Sequence, residues 1–147
     1  MYGVDYSDES VAVSKRANAS GIAAGRIEVL HGSVSHLSFA DDMFDLVTAV
    51  ETHFWWPNLP SDVREILRVL KPGAKLILIG EVYKGANTRM AELCEQYAAR
   101  TGMTLLDVDE HRGLFTQAGY SEVQVSVESE KGWICATGRK PESSVPQ

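Results

Sequence analysis

The sequence predicts an α/β fold, with strands and helices alternating around a mostly parallel sheet that closes in an antiparallel hairpin. Three observations carry this reading. Short apolar runs suited to strands alternate with amphipathic helical stretches, the pattern of βαβ units. The run Phe44-Asp45-Leu46-Val47-Thr48-Ala49-Val50 is mostly apolar, as expected of an interior parallel strand covered on both faces. Near the end, Val123, Val125 and Val127 alternate with polar residues, and Glu130-Lys131-Gly132 turns the chain into Trp133-Ile134-Cys135-Ala136, a hairpin pattern.

Each element has a local cause. Tyr2-Gly3-Val4-Asp5 reads as the end of a strand. Ser7 then caps a helix with Asp8 and Glu9 in its first turn, running to about Ala19. Ile27, Val29 and Leu30 form a short strand ending at His31-Gly32, and residues 33–43 are loop by composition. Ser61 is expected to cap the clearest helix, where Val63, Ile66, Leu67 and Leu70 fall at i, i+3, i+4 and i+7. Lys71-Pro72-Gly73 stops that helix, and Ala74 to Gly80 follows as a buried strand. Met90, Leu93, Cys94 and Tyr97 repeat the helical spacing. A last helix around Glu110 to Ala118 ends at Gly119, a natural left-handed C-terminal position.

Composition bounds the rest. With 147 residues, 44% hydrophobic and 23% charged, the chain suits one globular domain over residues 1–138, followed by a polar, proline-bearing tail, 139–147, expected to be disordered. Fourteen basic against twenty acidic residues give a net charge of -6, the wrong sign for covering phosphates, so nucleic acid is not an expected partner. No apolar stretch approaches the roughly 20 residues needed to span a bilayer and no signal peptide opens the chain, so a membrane is not expected and the location is read as cytoplasmic. Cys94 and Cys135 have no metal-ligand spacing around them and are read as reduced core thiols.

In a doubly wound sheet the ligand lies beyond the carboxyl ends of the strands, where an acid ending the second strand can accept hydrogen bonds from ribose hydroxyls. Asp5 holds that position, and equally well prepares the cap of the following helix. The other strand ends offer Gly32-Ser33-Val34, Glu51-Thr52-His53 and Glu81-Val82-Tyr83 to the same rim.

Five pieces in order, Gly3-Val4-Asp5-Tyr6-Ser7, Gly32-Ser33-Val34, Leu37-Ser38-Phe39, Phe44-Asp45-Leu46-Val47 and Arg68-Val69-Leu70-Lys71-Pro72-Gly73, resemble the class I S-adenosylmethionine (SAM) dependent methyltransferases, in particular the type-11-like small-molecule subgroup. The resemblance covers nearly all of Tyr2 to Gly138. It implies a truncated, Rossmann-like doubly wound sheet with SAM as cofactor and a small molecule as methyl acceptor. It also implies site roles. Asp5 holds the ribose, Tyr6 lies beside the adenosine, the Ser33-Val34 turn meets adenine, and Glu51 and Thr52 face the methionine portion. Ser33 stands where the family usually carries an acid. His53, beside Glu51, is a candidate general base and equally a structural residue. Phe54-Trp55-Trp56 either walls an acceptor pocket or covers the apolar end of the sheet.

The family's central first strand and its Gly-x-Gly-x-Gly turn are not found before Tyr2, and Gly21 and Gly25 lie at the wrong end of a βαβ unit to replace them. In the family's strand order, 3-2-1-4-5-7-6, the Tyr2 and Phe44 strands flank that position. The sheet is therefore expected to close either by direct pairing of these two strands or by a second copy, in a homodimer. Two functions follow: a methyltransferase whose cofactor site is completed by another copy or chain, or a non-catalytic methyltransferase remnant that self-associates or binds a partner.

Overall fold

The computed structural model describes residues 1–142. They fall into two compact units, Met1–Ser38 and Phe39 onward. The first holds strand β1 (Tyr2–Asp5), helices α1 (Asp8–Ala17) and α2 (Ala19–Ala23), and strand β2 (Glu28–His31). β1 and β2 form a two-stranded parallel sheet, with Asp5 opposite His31. Ser7 caps α1 as expected, its Oγ accepting the Ser10 N–H at 3.2 Å. The helical stretch breaks at Asn18, where the side chain and backbone N–H both turn back to the Ser14 carbonyl.

The second unit contains β3 (Phe44–Val50), a 3-10 turn (His53–Trp55), α3 (Leu59–Val69), β4 (Leu70–Gly80), α4 (Arg89–Thr101), α5 (Val108–Ala118), β5 (Ser121–Glu128) and β6 (Trp133–Arg139). Its sheet runs β3-β4-β6-β5, with β3 and β4 parallel and the last two strands an antiparallel hairpin. The predicted alternation and closing hairpin are therefore present. α3 and α5 cover one face, where Val63, Ile66, Val69, Leu76, Leu78, Phe115 and Ala136 are all but fully buried.

Several local expectations are corrected. α3 begins at Leu59 and not after Ser61; its N-cap is Asn58, whose N–H donates to the buried Asp62 carboxylate at 2.9 Å, while the Ser61 hydroxyl donates to the Asn58 carbonyl. Pro60 fits the first turn because no intrahelical partner is needed there. β4 starts at Leu70, so Lys71-Pro72-Gly73 lie inside the strand, and a bulge opposite Phe44 to Leu46 absorbs them.

β3 is not an interior strand covered on both faces. Leu46 and Val50 are 51% and 53% exposed, and among the described residues β3 pairs with β4 alone. Among the described residues, β1 likewise pairs with β2 alone. Of the tail, Arg139 ends β6 and the Lys140 N–H bonds to the Ala74 carbonyl; residues 143–147 lie outside the described residues. Among the described residues, no helix is long and apolar enough to cross a membrane. Cys94 and Cys135 are unpaired thiols, half-buried rather than in the core.

Candidate functional site

In the first unit the residues expected around adenosine gather at the carboxyl ends of β1 and β2. The Asp5 carbonyl accepts the Gly32 N–H at 2.9 Å, which joins the end of β1 to the turn carrying Ser33 and Val34. Asp5 is half-buried, and its Oδ1 accepts the Ser7 N–H at 2.8 Å. One carboxylate oxygen thus steadies the helix start, as the capping reading expects. Tyr6 is 73% exposed. Its carbonyl accepts a hydrogen bond from His31 Nε2 at 2.8 Å, so His31 fixes the Tyr6 backbone, a role that sequence reading did not assign. A histidine ending a strand opposite Asp5 was the available signal. The Ser33 hydroxyl accepts the Ser35 N–H at 3.2 Å, and the Ser33 carbonyl the His36 N–H, closing a tight turn over half-buried Val34.

In the second unit, Glu51 and Thr52 follow β3 at the corresponding end of the sheet. Glu51 adopts a left-handed backbone, φ 57°, uncommon for a residue with a side chain. It is held from two sides, its N–H donating to the Ile79 carbonyl at 3.0 Å and its carboxylate accepting the Glu81 N–H. The carboxylate therefore bridges the ends of β3 and β4. The Thr52 carbonyl accepts the Trp55 N–H and opens the 3-10 turn; both Glu51 and Thr52 are exposed.

His53 is placed differently from a general base. It is 1% exposed, and its Nε2 lies 3.3 Å from Nε2 of buried His111 on α5. Burial, and secondarily the neighbouring imidazole, push its pKa down to about 4, because a charged ring there has no water to solvate it. At neutral pH it is an uncharged packing residue facing Phe54 and His111. The aromatic group divides in the same way: Phe54 is buried, Trp56 half-buried and Trp55 exposed. The acidic run before α5 serves the helix. The Asp107 carboxylate accepts the Glu110 N–H and Glu110 reaches back to the Asp107 N–H, a reciprocal cap. Among the described residues, no three His, Cys, Asp or Glu side chains are placed to hold a metal ion. An open groove of about 680 Å³ between the 56–60 turn and α5 is lined by Trp56, one of the three aromatic residues read as a possible pocket wall, and by none of Asp5, Tyr6, Ser33, Val34, Glu51, Thr52 and His53.

A family profile described as a methyltransferase domain matches residues 1–78. Among curated proteins, the chain is 33% identical to a demethylmenaquinone methyltransferase of Bacillus mycoides over 82 residues, 54% of this chain and 33% of that one. It is 27% identical to methyltransferase GfsG of Streptomyces halstedii over 132 residues, 88% of this chain and 47% of that one. The chain spans a third to a half of the length of these relatives. In fold it is similar to a Haloferax volcanii methyltransferase solved in complex with the Trm112 methyltransferase activator, with a TM-score of 0.81 at 19% identity, covering 96% of this chain and 72% of that chain.

Proposed function

The chain belongs to the methyltransferase domain family, the class I SAM-dependent methyltransferases, and from that premise we propose that it transfers a methyl group from SAM to a small molecule once its cofactor site is completed by another copy or another chain. The observation that carries the reading is the carboxyl rim of β1 and β2. There, Asp5 offers a carboxylate oxygen beside the Tyr6 and Ser33-Val34 backbone turns, where the ligand of a doubly wound sheet binds.

SAM supplies a methyl group already activated on a sulfonium, so the protein's task is to position rather than to activate. In the first unit, Asp5 accepts hydrogen bonds from the ribose hydroxyls, Tyr6 lies along the adenosine, and the Ser33-Val34 turn borders adenine through its backbone. Ser33 offers adenine a neutral group in place of an acid. In the second unit, Glu51 and Thr52 meet the methionine portion, with Glu51 held rigid by the Glu81 N–H. His53 takes no proton in this reading. Its burial suits it to shape the turn that begins at Thr52.

Calorimetric titration with S-adenosylhomocysteine tests the proposal. A dissociation constant below about 100 μM, roughly -5.5 kcal/mol, supports it; no heat at millimolar ligand overturns completion of the site by a second copy of this chain. The second reading, a partner-binding or self-associating remnant, draws on the single-sided pairing of β1 and β3 and on the exposed Leu46 and Val50. Under either reading we place a homodimer or a second chain at these edges, and the fold neighbour that carries a bound activator is a precedent for a partnered member. A mass that rises with concentration in solution scattering supports it.

A further inference from the structure

Helix α4 inverts the usual amphipathic arrangement. Its inward stripe is small, with Ala91 fully buried and Cys94 and Ala98 half-buried. Its large apolar residues, one position round the helix, face out: Met90, Leu93 and Tyr97 are 58%, 50% and 53% exposed. A surface helix normally buries its large apolar side chains and exposes its small or charged ones. Trp55, 48% exposed, continues the outward stripe and meets Tyr97 edge to face, with ring centroids 6.3 Å apart and planes at 78°. Two aromatic rings near a right angle make a corner that offers one face and one edge, the geometry in which a third ring packs. This corner follows Thr52 by three residues.

Resting on the function proposed above, we infer that Trp55, Met90, Leu93 and Tyr97 form the acceptor subsite and that the acceptor is a flat, uncharged ring system. The four side chains bring no charge to the corner and offer it apolar surface and two ring faces, which suits an uncharged ring. α4 carries Met90, Leu93 and Tyr97. Gly85 and Gly102 flank it in left-handed conformations with open space around them, and the Glu95 carboxylate, accepting the Gly85 N–H at 2.8 Å, ties the approach to the helix. The patch is narrow and interrupted by Arg89, Glu92 and Arg100, which suits a ring better than the broad face of a second protein.

The test uses 1-naphthol as probe and the indole N–H resonances of the three tryptophans as reporters. Trp55 is expected to shift saturably while Trp133 stays still. Decahydro-1-naphthol, with the same skeleton but not flat, is expected to bind at least fivefold more weakly. Tyr97→Ala, with Tyr97→Leu as the variant that preserves apolar bulk, should weaken 1-naphthol at least tenfold and fivefold respectively while leaving the S-adenosylhomocysteine titration unchanged. A silent Trp55, equal binding of the saturated probe, or unchanged affinity in both variants overturns the inference. So does a dimer that Tyr97→Ala dissociates, which assigns the stripe to a second copy. If S-adenosylhomocysteine fails to bind while the naphthol response stands, the proposed function fails and the ring site survives it. The converse result removes the ring site alone.

Discussion

His53 and His111 face each other through their Nε2 atoms at 3.3 Å, and Nδ1 of His111 lies 2.7 Å from the Asp107 carbonyl. That carbonyl requires a donor, so His111 carries its proton on Nδ1 and presents a bare Nε2. His53 then donates from Nε2, which leaves its buried Nδ1 as an acceptor without a partner among the described residues. Both rings are neutral, and a proton added to either becomes a buried cation. Burial holds His53 at about 4 against its ordinary 6.5 and lowers His111 as well, with the Asp107 carbonyl partly opposing it. The unfolded chain therefore binds these protons first as pH falls. Stability is complete above about pH 6.5 and declines through the interval down to about 4, by about 3 kcal/mol for His53 alone. Urea midpoints measured from pH 7.5 to 4.5 should fall accordingly. The double variant His53→Phe with His111→Leu should flatten the curve in that interval, and an unchanged slope would refute the assignment.

The close approach of β6 to α5 depends on Gly138. A Cβ there would lie 2.6 Å from Cδ1 of Phe115 and 2.9 Å from Cβ of Tyr120, and Phe115 has no exposed surface into which to move. Gly138→Ala is expected to destabilise the protein by about 1–3 kcal/mol through overpacking, although alanine suits a strand better than glycine. Gly3→Ala is the control, since its nearest neighbour stands at 3.9 Å and the change should be neutral or mildly stabilising. Equal effects at the two positions, read from urea unfolding, would contradict the packing argument.

Gly138 also marks where sequence reading stops. The strands were legible because Phe44 to Val50 and the alternating Val123, Val125 and Val127 carry their pattern locally, and Ser7 and Gly119 announce helix ends by residue type. What escaped depends on partners far along the chain. Nothing near His53 reveals that it is buried against His111, 58 residues later, the surroundings that lower its pKa. Ser61 matched a cap by composition, yet the Asp62 carboxylate reaching back to the Asn58 N–H moved the start of α3 earlier. The rim of Asp5, Tyr6 and Ser33 was readable because strand ends in parallel sheets gather at one edge by topology alone.

Asp5 separates its two duties by charge. Replacement by Asn keeps an oxygen for the Ser7 N–H, so helix α1 should hold and the thermal midpoint should change little. The carboxylate's hydrogen bonds to ribose hydroxyls are charge-assisted, worth about 1.5–3 kcal/mol, so Asp5→Asn should weaken S-adenosylhomocysteine by roughly 10- to 150-fold. Asp5→Ala should lose both. Calorimetry beside thermal unfolding reads the two effects apart, and equal ligand affinity in wild type and Asp5→Asn would remove Asp5 from the cofactor site.

The outer edge of β3 carries the remaining prediction. The Glu51 N–H points to Ile79 on β4, and parallel pairing alternates, so Leu46, Thr48 and Val50 direct their backbone N–H and C=O groups away from β4. An exposed edge with apolar side chains invites another strand, and natural sheets commonly block such edges with lysine. Val50 is 53% exposed, so Val50→Lys removes little burial and should alter stability by no more than about 0.5 kcal/mol. Self-association through this edge should nonetheless be lost, because a strand docking beside Val50 would have to desolvate the ammonium. Sedimentation of wild type and variant over a hundredfold concentration range decides the matter. An associating wild type and a monomeric Val50→Lys place the contact at β3, whereas equal association in both moves it elsewhere on the molecule.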